Sequence, residues 1–174
     1  MQFSDIRASA RAKADEEATG FISNTEINRY LNQGLRLVYG KIAQRFENFF
    51  IVPGTTGNGG KFTTVSGTQG YTLPTTLMKL VRVEQRNTNS TTDNDWRKME
   101  TINIGTDLFD TYYPIREGYL PQFGYFVAGA SMYIKPVPTT AFDVRLWFIP
   151  FVTDMSADSD IPGVPSPYHE LIAD

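Results

Sequence analysis

Cysteine and histidine, the side chains that most often supply nucleophiles, metal ligands and acid–base groups, are almost missing from this chain. There is no cysteine, and His169 is the single histidine. Thiolate chemistry, disulfides, zinc sites and histidine catalysis therefore have almost nothing to work with. His169 stands between Tyr168 and Glu170, with no serine or carboxylate constellation that the sequence links to it. We predict no enzymatic activity, no cofactor and no metal.

The glycine-rich loop at residues 54–60 invites comparison with a phosphate-binding loop. Such a loop needs a glycine, four residues, and then Gly-Lys-Ser/Thr, so that backbone amides, lysine and hydroxyl meet the phosphates. Here Thr55 occupies the place of the first glycine, and Phe62 follows Lys61 where the hydroxyl is required. The loop is therefore predicted to be flexible connector surface and not a nucleotide site.

Two acidic clusters also fail as ion sites. Residues 93–95 begin like a calcium loop, but Arg97 brings a cation to a position that needs a ligand oxygen. Asp154, Asp158 and Asp160 follow no known ligand spacing. We interpret these carboxylates as solvated loop charges.

The clearest element that could position a functional surface is one long amphipathic helix. Ser23 and Glu26 form a capping box, and apolar residues then recur at spacings of three or four, which predicts a helix over 25–49. The repeating residues are Ile27, Leu31, Leu35, Val38, Ile42, Phe46 and Phe49. Tyr30, Leu37 and Tyr39 widen this stripe beyond what one partner needs.

Small residues distinguish both helical segments. Gly34 and Gly40 in the long helix would let another backbone come close. An alanine-rich helix at residues 8–18, with Ser4 as its cap, has little to bury alone. We expect it to pack closely on another helix, one from a neighbouring subunit included.

From Pro53 to about residue 152 the chain is rich in β-branched and aromatic residues divided by turn formers. The predicted strands are 62–65, 71–73, 77–86, 96–100, 122–127, 131–135 and 143–149. Residues 66–70 are predicted to be a hairpin-like connection, 87–95 an exposed polar loop, and 102–112 a short helix. The fold class is therefore α+β: N-terminal helices, then an antiparallel β-sandwich or small barrel, and a C-terminal helix starting near 166.

Charge and hydropathy narrow the class of protein further. The net charge is -3, and residues 151–174 carry five acidic residues and no basic one. The longest apolar run, 146–152, is far shorter than the roughly 20 residues of a membrane span. We expect a soluble, non-secreted protein in three parts: helices at 1–52, a β-rich region at 53–152 packed on them, and an acidic segment at 153–174.

Several short segments follow one another in a characteristic order. They are Tyr30–Leu35, Phe46–Phe50, Gly70–Pro74, Lys79–Val83, Leu120–Tyr125, Met132–Pro138 and Val164–Ile172. This order resembles the head-to-tail connector, or adaptor, proteins of tailed bacteriophages, and the resemblance covers most of residues 24–174.

The resemblance implies a structural virion protein made in the host cytoplasm and located in the neck between capsid vertex and tail. Such proteins form a ring, usually of twelve subunits, between the portal protein and the tail or nozzle proteins. DNA passes through the lumen without specific binding, and no membrane is involved. The carboxyl end commonly reaches toward the portal. The candidate interface residues are Leu37, Tyr30, Phe49, Phe50, Tyr168, Leu171 and Ile172.

Three alternatives remain open at this stage. A carbohydrate-binding or carbohydrate-cleaving module of a phage tail would use the aromatic residues, 13% of the chain, as stacking platforms; most of them lie inside apolar runs, which favours core and interface. A host-derived β-domain with a helical arm would be a dimer. The C-terminal helix could also complete this domain's own core instead of folding on a basic partner.

Overall fold

A computed structural model describes residues 1–15, 22–103 and 123–174. The chain forms two compact units, which we call the helical unit (1–50 and 151–174) and the β unit (51–150). Helices at the amino end, strands in the middle and short helical turns from residue 166 confirm the predicted α+β class. The predicted three-part domain division stays a prediction.

The helical unit begins with α1 (Phe3–Lys13) and α2 (Asn24–Arg45). Ser23 caps α2 as predicted, its Oγ accepting from the Glu26 amide at 3.2 Å. The cap of α1 is Gln2 and not Ser4, because the Gln2 amide bonds the Asp5 carboxylate at 3.0 Å. The predicted long helix is confirmed, but α2 ends at Arg45 and not near residue 49. Phe46 leaves the helical conformation, and a short 3-10 helix (Glu47–Phe49) follows.

The C-terminal segment, residues 151–174, packs on the helices of its own unit. The Asn32 side chain exchanges two hydrogen bonds with the backbone of Met155, at 2.9 and 2.8 Å. The segment ends in two 3-10 turns, Ser166–Tyr168 and Glu170–Ile172. Its apolar side chains Met155, Val164 and Ile172 are buried with Phe3 and Ile6 of α1 and with the inner side of α2.

Two sheets build the β unit. In the described part of the chain the strands are β1 (Val52–Pro53), β2 (Lys61–Thr63), β3 (Gly70–Thr72), β4 (Leu77–Asn87), β5 (Arg97–Lys98), β6 (Glu100–Thr101), β7 (Gly124–Ala128), β8 (Ser131–Lys135) and β9 (Phe142–Pro150). One sheet has the order β1-β9-β4-β5, with β2 also on β9, and the other has the order β3-β8-β7-β6. Among the described strands, all pairs are antiparallel except β6 with β7.

The two sheets share one apolar core, as in a sandwich. Every second residue of β9 points into it because side chains alternate along a strand. The core includes Val83, Phe123, Met132, Ile134, Phe142, Val144, Leu146 and Phe148. Phe123 and Phe142 stack across it with ring centroids 4.4 Å apart. Neither sheet closes among the described strands, so the barrel alternative does not hold.

Residues 66–70 do not make the predicted hairpin, because β2 pairs with β9 and β3 pairs with β8 in the other sheet. The physical reason is that the backbone amides of Thr64 and Gly67 donate hydrogen bonds to carbonyl groups about 70 residues further along the chain. The Thr64 amide donates to Phe142 O at 2.8 Å, and the Gly67 amide to Pro138 O at 2.8 Å. The helix predicted over 102–112 lies outside the described residues from 104 onward.

The loop at residues 54–60 is bonded to itself and to β9, which differs from the expected flexible loop. The Asn58 side chain accepts from the amides of Thr55 at 2.7 Å and Gly60 at 3.0 Å. The Gly54 amide donates to Leu146 O at 2.6 Å, and the Leu146 amide donates to Gly60 O at 2.7 Å. This network brings the chain back to β9, so β1 before the loop and β2 after it both pair with that strand.

Candidate interface on the helical unit

The inner side of α2 packs into the core of its own unit. Its buried residues are Ile27, Leu31, Leu35, Tyr39, Ile42 and Ala43. Five of these continue the spacing of three or four that an amphipathic helix requires. Burial raises the pKa of Tyr39. The predicted stripe is therefore confirmed as core from Ile27 to Ile42, with Val38 half-buried. Tyr39, which was expected to widen the stripe, is buried in this core, whereas Phe46 and Phe49 are exposed.

The outer side of α2 carries a second pattern without charge. We call it the α2 outer face: Tyr30, Gln33, Leu37, Gly40 and Gln44, spaced 3, 4, 3 and 4 residues apart. Residues at this spacing lie on one side of a helix. Leu37 is 70% exposed and Tyr30 is 51% exposed. A core-only role does not account for these two side chains, since both lie away from the core of the unit.

The two glycines of α2 have different surroundings. A Cβ on Gly34 would lie 2.8 Å from Ile172 O, so Gly34 admits the backbone of the C-terminal segment. Among the described residues, a Cβ on Gly40 would meet nothing within 4 Å. Glycine within a helix costs about 1 kcal/mol relative to alanine. The predicted close approach is thus confirmed at Gly34 within the unit, while Gly40 leaves a hollow on the α2 outer face.

Beside the α2 outer face is a mostly apolar groove of about 440 Å³. Its lining includes Ala10, Ala14, Tyr30, Leu37, Val38 and Leu171. The groove lies between the end of α1, the first half of α2 and the end of the C-terminal segment. An exposed apolar recess of this kind can take an apolar side chain from another protein.

The C-terminal candidates separate by burial. Ile172 is 4% exposed and packs in its own unit, whereas Leu171 beside it is 51% exposed and lines the groove. Tyr168 is half-buried. The structure thus places Leu171 in the same groove as Tyr30 and Leu37. Ile172 is buried and anchors the C-terminal segment on the helices.

The remaining candidates lie at the other end of α2. Phe50 stacks on the Tyr39 ring with centroids 4.1 Å apart, and Phe49 meets Phe50 edge to face at 5.0 Å. Phe49 is 61% exposed and Phe50 is half-buried. These two residues do not line the groove with Tyr30 and Leu37. The interface role of all the candidates stays a prediction.

Most acids of the C-terminal segment have partners within the helical unit. Arg36 Nε donates to Asp154 at 3.0 Å, Arg7 to Asp158 at 2.6 Å, and Lys13 binds Asp174. Asp160 accepts from the amides of Ser156 at 2.7 Å and Ala157 at 2.8 Å, and these bonds lower the pKa of its carboxyl. Three of the five acids of the segment are thus paired with cations of the same unit, which leaves less unpaired charge for a basic partner surface.

Sequence reasoning missed a polar cluster on the outer face of the β4–β9 pair. Glu84 lies opposite Arg145, and Arg86 lies opposite Asp143. Arg145 Nε donates to Glu84 at 2.9 Å, and the side chains of all four residues are mostly buried. Trp96 covers them, with Arg145 and Arg86 4.3 and 4.6 Å from its ring centre. Alternating charges on two neighbouring strands were the signal that could have revealed it.

The described part of the helical unit leaves the uncharged α2 outer face exposed. Within the described ranges, no helix is both long enough and apolar enough to span a membrane.

The model of the SU10 adaptor protein family matches residues 1–174, so the chain belongs to that family. No curated protein matches it. It is thus a phage head-to-tail adaptor, a structural protein that contacts other head and tail proteins in the virion neck.

Proposed function

We propose that this adaptor forms a homo-oligomeric ring between the portal protein and the tail, and that the genome passes through the ring. Family membership supports the head-to-tail position. The observation that carries the ring is the α2 outer face, where Leu37 is 70% exposed on a side of the helix that the core does not use. Closed rings need such surfaces because each subunit must contact two neighbours.

The resemblance sets the expected number of subunits at twelve and the expected partners as portal and tail or nozzle proteins. DNA contact in the lumen is non-specific, because a net charge of -3 does not hold a polyanion. No catalytic step belongs to this function, which is positioning and sealing.

The carbohydrate module is less well supported. A sugar platform presents open aromatic faces in a polar cleft. Arginine cations lie over the ring of Trp96, and Trp147 donates its Nε1 to Glu84 at 2.7 Å with Arg145 5.2 Å from its ring centre. Both tryptophans of the chain are engaged in this structural cluster.

The test is Leu37→Asp, with the native mass of the protein and its incorporation into virions as readouts. We expect a lower oligomeric mass or lost incorporation, with an unchanged melting temperature, because a desolvated carboxylate disfavours the interface and not the monomer. Val65→Asp is the matched control, since Val65 is 60% exposed on the β unit. A ring that forms normally with Asp at 37 would show that the face is not an interface.

A further inference from the structure

The exposed side of α1 carries small side chains. Asp5, Ala8 and Ala12 are exposed and spaced three and four residues apart, while Phe3 and Ile6 point into the unit. Helix axes come closer where the side chains between them are small. This side of α1 therefore offers a shallow surface that accepts a protruding side chain from another helix.

Charge on the two helices is complementary. Exposed carboxylates flank the small surface of α1, at Asp5 and Asp15, and exposed cations flank the α2 outer face, at Arg29 and Lys41. At about 1.5 Å per residue, the two cations are roughly 18 Å apart along α2. Asp5 lies in the first turn of α1, and Asp15 lies just beyond the end of α1, with a φ of 54°. Either an antiparallel or a parallel arrangement can place Asp5 beside one of these cations, so the shapes of the two surfaces must distinguish the two directions.

The antiparallel register also matches the shapes. With Asp5 beside Lys41, four residues along α2 lead to Leu37 and four residues along α1 lead to Ser9. Leu37 then lies between Ala8 and Ala12, so the most exposed leucine of α2 meets the smallest surface of α1. In the same register the end of α1, with Asp15 just beyond it, lies toward the Arg29 end of α2.

We propose that α1 of one copy packs antiparallel on the α2 outer face of the next copy, a contact that rests on the ring proposed above. The two surfaces differ, so the contact is head-to-tail, the kind that closes into a ring when the rotation permits. Packing of α2 on α2 would instead be two-fold and would give a dimer.

Cross-linking between copies tests this directly, because the chain has no cysteine of its own. In the proposed register Ala12 lies beside Gln33 of the next copy. Ala12→Cys and Gln33→Cys proteins are purified, mixed, dissociated and reassembled, and treated with a short bifunctional maleimide. We expect a cross-linked dimer from the mixture, little from either variant alone, and a ladder of higher multimers from the double variant.

Native mass separates the possible failures. A monomer at every concentration would count against the ring itself. A ring mass without the Ala12–Gln33 cross-link, or with strong cross-linking of Gln33→Cys alone, would overturn the α1–α2 contact and leave the ring in place.

A charge exchange gives a second measurement. Lys41→Asp and Asp5→Lys should each lower the oligomeric mass, and the double variant should recover it. Because Asp5 also bonds the Gln2 amide, melting of each single variant serves as the control for a loosened α1. Failure of the double variant to recover the mass, with melting unchanged, would reject this register.

Discussion

At the scale of single residues, Gly54 and Gly60 let two backbone segments pass each other beside β9. A Cβ on Gly54 would lie 2.0 Å from Gly60 O and 2.7 Å from Leu146 O. Gly54→Ala should therefore destabilise the protein by about 1–3 kcal/mol or more, measured by denaturant unfolding.

Gly57→Ala in the same loop is the control for this change. Within the described part of the chain, its Cβ would meet only Thr55 Oγ1, at 3.9 Å. We expect an effect within about 0.5 kcal/mol, as for an exposed surface position. Equal stability of the two variants would mean that Gly54 and Gly60 are not so close.

The Asp143 carboxylate makes the stability of the β unit depend on pH in the acid range. Burial by itself would raise its pKa, but hydrogen bonds from Thr63 at 2.8 Å and Arg86 at 3.0 Å, with the charge of Arg86, lower the pKa overall. A carboxyl whose folded pKa is lowered stabilises the protein above its unfolded pKa of about 3.9, and this contribution is lost as pH falls through the lower folded value.

Asp143→Asn should therefore lower the unfolding free energy by about 1–3 kcal/mol at pH 7. The difference from the wild type should shrink below about pH 4, where the native carboxyl also becomes protonated. Asp93→Asn is the control, because Asp93 is highly exposed and 3.8 Å from Arg145. A stability difference that stays constant down to pH 2 would contradict the assignment.

At the scale of elements, the C-terminal segment contributes to the core of the helical unit and therefore to its stability. Ile172→Ala should lower stability by about 2–5 kcal/mol, because Ile172 is buried against the helices. Leu171→Ala should change monomer stability by less than about 0.5 kcal/mol, since its side chain is exposed. If Leu171 contributes to the interface, the same variant weakens assembly.

Thermal melting and native mass of these two neighbours separate the roles of the segment. Folding on a partner, the other hypothesis for residues 151–174, predicts that Ile172→Ala leaves the melting of the free protein unchanged. Internal pairing of Asp154, Asp158 and Asp174 also makes docking less sensitive to salt than an unpaired acidic segment would be.

At the scale of the whole molecule, charge decides how the adaptor treats DNA. The chain carries 16 basic and 19 acidic residues. We expect no retention of duplex DNA by the free protein at about 0.15 M salt, in a mobility-shift or filter assay, because few counterions are released without a basic surface. Tight, salt-resistant retention would contradict passage of the genome without binding.

The sequence by itself determined the α+β order, the Ser23 cap at the start of α2, and most of the inner stripe from Ile27 to Ile42. These features depend on periodicity and capping, which are local and therefore readable along the chain. The near absence of cysteine and histidine was equally informative, because composition limits chemistry whatever the fold.

Only the tertiary structure decided which strands pair and which charges meet. Residues 66–70 have the composition of a hairpin turn, yet the amides of Thr64 and Gly67 bond to backbone carbonyls far along the chain. The acids after residue 151 could bind a partner or the chain's own bases, and the fold places Arg7 and Arg36 beside Asp158 and Asp154. Such pairings depend on residues distant in sequence, so no local pattern encodes them.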